Sequence, residues 1–264
     1  MTESSLPAVP PYPPGRSLLS GKRVLITAAA GTGIGYSTAR RCIEEGAQVF
    51  VSDIHERRLG EAVERLKSAG GSVAGSKTCD VTKEADVRAL VDHAIATLGG
   101  VDVLVNNAGL GGSASVVEMT DEQWHKVLDV SLTSVFRMTR AILPHMYARG
   151  SGAIVNNASV LGWRAQEGQS HYAAAKAGVM AFTRCVAMEV ARSGVRVNAV
   201  SPSLAMHEFL AKVTPPGLLE QLTSREAFGR GAEPFEVANV IVFLASDLAS
   251  YMTGECVAVS SQHP

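Results

Sequence analysis

The sequence predicts an α/β fold: a doubly wound parallel sheet of seven strands with helices on both faces. Three observations point there. Seven short apolar runs read as strands, at 23–27, 48–52, 73–78, 101–105, 153–156, 195–200 and 256–259. Amphipathic or alanine-rich stretches of helix length separate them, near 35–45, 56–69, 84–98, 121–149, 171–192 and 234–246. Runs without polar alternation expect burial on both faces, and intervening helices impose parallel pairing through right-handed crossovers.

The 264 residues can bury one substantial core, and 18–264 is expected to form a single domain. A hydrophobic share of 46% against 19% charged residues excludes a disordered chain. With a net charge of -1, neither nucleic acid nor an anionic membrane is expected as a partner. No uncharged apolar run reaches the ~18 residues of a membrane span. The first fifteen residues lack the basic patch and apolar stretch of a secretory signal, so a cytoplasmic protein is expected. Cys42, Cys79, Cys185 and Cys256 are scattered with no CxxC pair and read as ordinary buried thiols in a reducing compartment. Seven ungrouped histidines give no case for a metal. Residues 1–17 hold Pro7, Pro10, Pro11, Pro13 and Pro14, so this arm is extended or mobile, or drapes over a neighbouring subunit.

Between the first strand and first helix lies Thr27-Ala28-Ala29-Ala30-Gly31-Thr32-Gly33-Ile34-Gly35. A small-residue turn opening a helix suits a pyrophosphate: the backbone can approach closely and the helix N-terminus offers free N–H groups. Alone, such a turn is also a common tight connection. Asp53 follows Gly35 by eighteen residues, at the end of the second strand. There a carboxylate can accept both adenosine ribose hydroxyls and repel a 2′-phosphate, or else cap the next helix. No basic residue directly precedes Gly33, which favours NAD over NADP, although Arg57 and Arg58 lie close in sequence. Asp80-Val81 and Asn106-Asn107-Ala108-Gly109 fall at the carboxyl ends of strands three and four, where open sheets bind ligands. Asp80 can meet the adenine amino group or cap the helix near Lys83, and the Asn-Asn pair can be plain turn chemistry.

Tyr172 and Lys176 are one helical turn apart and emerge on one face. A buried ammonium near a phenol favours the phenolate, which would bring the tyrosine towards a working range for proton transfer. Ser159, thirteen residues upstream and just past the fifth strand, can hold a substrate oxygen while Tyr172 gives or takes a proton.

Taken together, these residues resemble the short-chain dehydrogenase/reductase family over roughly 20–260. The matching positions are Gly31-Thr32-Gly33-Ile34-Gly35, Asp53, Asp80, Asn106-Asn107-Ala108-Gly109, Ser159, Tyr172 through Gly178, and Asn198-Ala199-Val200-Ser201-Pro202. The resemblance implies a Rossmann-type sheet of order 3-2-1-4-5-6-7 and hydride transfer between nicotinamide and a carbinol carbon. It also implies that Lys176 grips the nicotinamide ribose while lowering the pKa of Tyr172, and that Pro202 flanks the nicotinamide ring. Four positions depart from the family pattern. The glycine turn is one residue longer, with Ala28 where glycine is usual. Ser131 stands where the family has an asparagine that feeds a water chain to the lysine. Ser203 replaces a glycine, and the end at 260–264 lacks the common Asp-Gly-Gly.

The run Asn156 to Gln166, the long turn and the Gln262-His263-Pro264 end resemble, within that family, an actinobacterial subgroup acting on a hydroxylated indane-propionyl-CoA in steroid ring degradation. That resemblance implies an acyl-CoA substrate. The segment 203–232 is expected to form a lid, with His207, Lys212, Arg225 and Arg230 as solvated charges or CoA contacts. Trp163 is expected to wall a ring pocket or to sit in the core. His171 points away from Tyr172 and is not assigned as a base. The apolar stretch 177–188 suggests a homodimer or homotetramer. A 3-oxoacyl-thioester reductase and a non-catalytic NAD-sensing regulator are the alternatives.

Overall fold

A computed structural model describes residues 8–70, 72–207, 210 and 216–261. Its strands are β1 (Arg23–Ile26), β2 (Gln48–Asp53), β3 (Val73–Thr78), β4 (Val103–Asn106), β5 (Gly152–Asn157), β6 (Val195–Pro202) and β7 (Cys256–Val259). They form one sheet of order β3-β2-β1-β4-β5-β6-β7, parallel throughout. The chain moves from β1 outward through β2 and β3, then returns to β4 on the other side of β1. The carboxyl ends of β1 and β4 therefore diverge into a crevice, the usual ligand position in open sheets.

Alternation along the strands feeds two cores. Val24, Ile26, Val49 and Val51 meet Ala39 and Cys42 of α1 (Ile34–Glu44), Leu59 and Leu66 of α2 (Glu56–Ser68) and Ile241 of the late helix Pro234–Ala245. Leu25, Phe50 and Leu104 meet the opposite layer: Leu90 of α3 (Glu84–Leu98), Ile142 of α5 (Ser134–Arg149) and Val190 of α6 (Ser170–Val190). Each face of the sheet is thus covered, which is why the central strands carry no polar alternation.

Local expectations fail in four places. The strand at β3 is not buried on both sides; its burial alternates, as an edge strand's does. The stretch 121–149 is not one helix: α4 (Asp121–Leu128) passes through a π-helical segment (Asp129–Thr133) into α5. Within the expected lid, α7 (Pro216–Ser224) precedes the late helix, numbered α8 here; Lys212 and the end at 262–264 lie outside the described residues. Cys185 is exposed, unlike the buried thiols of Cys42 and Cys79.

Residues 8–17 of the proline-rich arm form neither helix nor strand, and from Tyr12 onward they are tied down. The Tyr12 ring lies 5.0 Å from that of Phe235 and beneath the Arg40 guanidinium, and its hydroxyl donates to Glu44. Pro13 O accepts from Arg41, and the backbone N–H groups of Arg16 and Leu18 donate to Glu45. One aromatic anchor and a buried acceptor fix a segment whose composition alone reads as loose.

At the end of the sheet away from the crevice, His145 Nε2 accepts from Val101 N at 3.0 Å. Burial, then the cations of Arg149 and Arg23, hold its pKa below 6.5, against the Asp102 carboxylate. The fold therefore requires neutral imidazole, and the unfolded chain takes up the proton first. Stability should fall as pH drops below about 6.5 and level off once the folded-state pKa is passed. Thermal midpoints from pH 8 to pH 5 (roughly the range of histidine titration) test this. In H145Q, whose amide oxygen can accept from Val101 without titrating, that part of the decline should disappear; an unchanged curve excludes His145 as its source.

Candidate active site

The turn after β1 is held from β4. Thr27 Oγ1 accepts from Asn107 N (3.0 Å) and Ala108 N (3.2 Å), while Asn107 Nδ2 donates to Thr27 O (3.2 Å) and Ala28 O (2.9 Å). Ala28 has φ 52°, the left-handed region in which a side chain costs ~1 kcal/mol. This accounts for the usual glycine at that position; here the Asn107 bond to its carbonyl offsets the cost. A Cβ on Gly35 would collide with Ala28 O and lie 2.5 Å from Asn107 Nδ2, so only glycine lets α1 begin so close to the turn. Gly33 N-caps α1 with no side-chain hydrogen bond, leaving the first N–H groups open to the crevice. This cradle fits the diphosphate of a dinucleotide.

Asp53 serves the turn as well. Its Oδ2 accepts from Ala30 N (3.2 Å) and its Oδ1 from His55 N (3.0 Å). The N-cap of α2 is His55, so Asp53 makes a local turn and a brace for the lengthened loop rather than the helix cap. Burial raises its pKa, outweighing the Ala30 bond and the Arg58 charge. Arg65 reaches across from α2 to donate to Gly31 O (2.7 Å) while lying over the Tyr36 ring. Asp80 accepts from Thr82 N and Oγ1 and pairs with Lys83 at 3.4 Å. Burial acts to raise its pKa, but these partners hold it below the ordinary value. It too makes a turn, not the α3 cap, which falls on Lys83 without a side-chain bond. Val81 packs at the margin of the second core.

Across the crevice, α6 presents Tyr172 and Lys176. Lys176 is only 2% exposed; its Nζ donates to Asn157 O at 2.6 Å and lies 5.5 Å from the Tyr172 ring centre. A Cβ on Gly109 would lie 3.4 Å from that ammonium and one on Gly111 3.9 Å from the Tyr172 ring, so the β4 loop runs directly over the pair. Ser159 lies two residues past β5 at the start of the short turn Val160–Gly162, accepts from Leu161 N (3.2 Å) and hydrogen-bonds Tyr172. Serine, tyrosine and lysine are therefore brought together beside the glycine turn. The electrostatics differ from expectation. Burial pushes the Tyr172 phenol above its ordinary pKa, opposed by the Ser159 bond and not by Lys176, whose ammonium is turned to a carbonyl. Burial also lowers Lys176, to about 8. Pro202 is buried at the end of β6, in register with Val259.

Ser131 is fully buried in the π segment, but its hydroxyl is closed upon Leu110: it accepts from Leu110 N and donates to Leu110 O, both at 2.9 Å. Its proton is thus committed to holding the loop after Gly109. Trp163 is neither in the core nor on the catalytic face. It is 43% exposed and lines a cleft of ≈ 590 Å³ with Leu161, Arg164, Ala173 and Ala177. Those alanines are rotated about 100° around α6 from Tyr172 and Lys176. His171 is buried against Gly112, away from the tyrosine hydroxyl. Of the proposed CoA contacts, Arg230 is committed to Glu236 by two bonds of 2.7 and 2.9 Å, Arg225 is exposed, and the His207 ring lies 3.8 Å from a Cβ placed on Gly33, over the turn. Thr27, Arg65 and Asn157 are not singled out by the sequence. Thr27 opens the small-residue turn and Asn157 is the second asparagine of a pair ending an apolar strand, but neither carries an assigned role there.

Substituting Gly35 tests the cradle. G35A should force the turn from Asn107, lowering stability by about 1–3 kcal/mol and weakening dinucleotide binding at least tenfold, roughly the loss of one well-made hydrogen bond. Thermal unfolding and NADH fluorescence titration read the two effects, and near-normal affinity rules out the proposed seat of the diphosphate.

Comparison with known proteins identifies relatives along nearly the whole chain. Residues 28–261 match a family model described as enoyl-(acyl carrier protein) reductase. The (5R,7aS)-5-hydroxy-7a-methyl-1-oxo-2,3,5,6,7,7a-hexahydro-1H-indene-carboxyl-CoA reductase of Mycobacterium tuberculosis is 61% identical over 251 residues, covering 95% of this chain and 96% of the relative. A crystal structure of a short-chain dehydrogenase from Mycobacterium smegmatis superposes with TM-score 0.87 at 55% identity, over 97% of this chain and 99% of that one. A single-residue variant of the actinorhodin polyketide ketoreductase, solved with NADPH, gives 0.86 at 36% identity, over 90% and 95%. With its parallel sheet of order 3-2-1-4-5-6-7, its glycine turn and its serine, tyrosine and lysine in one crevice, the chain belongs to the short-chain dehydrogenase/reductase family of oxidoreductases.

Proposed function

We propose that this oxidoreductase is NAD(H)-dependent and interconverts a secondary alcohol and a ketone on a bicyclic, steroid-derived acyl-CoA. The observation that carries the reaction type is the meeting of Ser159, Tyr172 and Lys176 beside the turn held by Asn107. When bound, a nicotinamide dinucleotide supplies or receives the hydride. The chain's own residues do the rest: Ser159 holds the substrate oxygen, and Tyr172, kept protonated by burial, gives it a proton during ketone reduction. Lys176 supplies the nearby cation and grips the nicotinamide ribose, and Pro202 walls the ring. Gly31, Thr32, Gly33, Ile34 and Gly35 seat the diphosphate, Asn107, Ala108 and Gly109 bound it on the β4 side, and Asp80 and Val81 border the adenine.

Asp53 supports NAD over NADP. Each of its oxygens already holds one N–H and keeps a second lone pair for a ribose hydroxyl, and a 2′-phosphate would meet a carboxylate. Of the nearby cations, Arg57 is engaged by Glu61 at 2.6 Å. The substrate class rests on the 61% identical relative, whose name carries a carboxyl-CoA where the sequence resemblance pointed to a propionyl-CoA. A 3-oxoacyl-(acyl carrier protein) reductase of Thermotoga maritima, 39% identical over 241 residues, keeps a 3-oxoacyl-thioester reductase as a second reading. A homodimer or homotetramer is proposed from α6, where Met188 stands 81% exposed in an apolar stretch. Among the described residues no helix is long and apolar enough to cross a membrane, and a cytoplasmic site of action is part of the proposal.

The decisive experiment follows NADH oxidation with hydroindane-dione carboxyl-CoA and propionyl-CoA thioesters against acetoacetyl-CoA. Turnover of the bicyclic thioesters is expected; activity confined to acetoacetyl-CoA selects the second reading, and dinucleotide binding without any turnover selects a sensor. Y172F should lose turnover while binding NADH, and NADPH should be the poorer reductant. The pH profile carries a further expectation. Lys176 is a cation only below about 8, so kcat/KM for ketone reduction should decline as pH rises through that value. A flat profile from pH 7 to pH 9 (about one unit either side) contradicts the need for an ammonium there.

A further inference from the structure

Two asparagine rungs cross from β4 to β5 at the mouth of the crevice. Asn106 and Asn156 are in register; Asn106 Nδ2 donates to Asn156 Oδ1 (2.9 Å), and Asn156 donates to Thr183. This rung is buried beneath α6 and completes the sheet on that side. One residue further, on the opposite face, Asn157 Nδ2 donates to Asn107 Oδ1 at 3.0 Å. The second rung ends at the dinucleotide turn, because Asn107 spends its own N–H groups on Thr27 O and Ala28 O. The backbone carbonyl of the same Asn157 receives Lys176 Nζ.

We infer that Asn157 is a positioning residue for dinucleotide binding. Its amide locks Asn107 in the one orientation that reaches both turn carbonyls, and its main chain fixes the height of Lys176 over the same crevice. An amide whose oxygen accepts on one side while its nitrogen donates on the other cannot rotate without losing both, so Asn107 is held against flipping. Asn157 Oδ1 is itself buried without a protein partner among the described residues. Shape alone would favour an apolar side chain here, since its strand neighbours on that face, Ala153 and Val155, lie in the apolar core and an unmet acceptor is costly. The donor must therefore matter more than the space it fills. Neither contact is with substrate; the residue acts through Asn107.

The inference rests on the nicotinamide reading, and its test separates the two. NADH affinity is measured by fluorescence titration without second substrate, alongside the thermal midpoint, for the full chain and for N157L and N157S. Both variants remove the amide donor and leave the main-chain carbonyl for Lys176. Dissociation constants should rise roughly tenfold, the equivalent of one buried hydrogen bond, while kcat at saturating NADH changes by less than about threefold, roughly half that energy. Combined with N107S, either substitution should add almost nothing, because both break one chain of bonds. A role in packing alone predicts wild-type affinity for N157L, and unchanged or additive dissociation constants overturn the inference. If the unsubstituted protein binds neither NADH nor NADPH, it is the cofactor reading that fails. N157S keeps the test open should leucine lower the midpoint.

Discussion

Everything at the mouth of this sheet depends on one clamp between β1 and β4. The strands must diverge above Ile26 and Asn106 to open a crevice, yet divergence strips their last backbone groups of ladder partners. Thr27 and Asn107 solve this by exchanging side-chain bonds for the missing ladder: the threonine hydroxyl accepts two N–H groups and the asparagine amide feeds two carbonyls. The strain at Ala28 and the lack of room at Gly35 follow directly. With the clamp in place, α1 must start at Gly33, and its open N–H groups face the crevice.

The second constraint is electrostatic. An ammonium that is 2% exposed and bonded to a carbonyl instead of a carboxylate is poorly compensated, and its pKa drops accordingly. The Tyr172 phenol is pushed the other way by the same burial. Two groups that titrate close together in water are thereby driven apart, the lysine towards neutral pH and the tyrosine away from it. The tyrosine keeps its proton for donation, and the lysine becomes the group whose charge is most easily lost. Loop 109–111 closes over both, so the low dielectric that sets these values belongs to the reaction space itself.

Much of this is legible in the sequence, for reasons that can be named. Parallel pairing and coverage of both faces follow from apolar runs separated by helix-length stretches, the strand order from the family resemblance, and the central strands behave as that pattern requires. The edge strand β3 does not, because burial on one side alone produces the alternation seen in Val73–Thr78. The π segment is invisible there, since a single five-residue π turn between two helical stretches has no composition of its own to mark it. Tyr172, Lys176 and Ser159 are readable because helical spacing and strand ends fix direction. Thr27, Arg65 and Asn157 are not, since each acts through a partner more than 25 residues away: Thr27 on Asn107, Arg65 on Gly31, Asn157 on Asn107. The arm reads as loose for the same reason, its anchor being a ring packed against Phe235.

Ser131 shows how a departure from family pattern is absorbed. A π segment widens the turn and points the residue at Leu110, and a serine is short enough to close both its donor and an acceptor on that one backbone unit. The loop after β4 is thereby fastened to the helix that underlies it, which sets the approach of Gly109 to Lys176. A hydroxyl with its proton already committed to Leu110 O retains a lone pair but no donor. It can receive a hydrogen bond but cannot pass a proton onward without first releasing the loop. The serine thus fixes the backbone beside Lys176, and the ammonium's neighbours are main-chain groups on both sides.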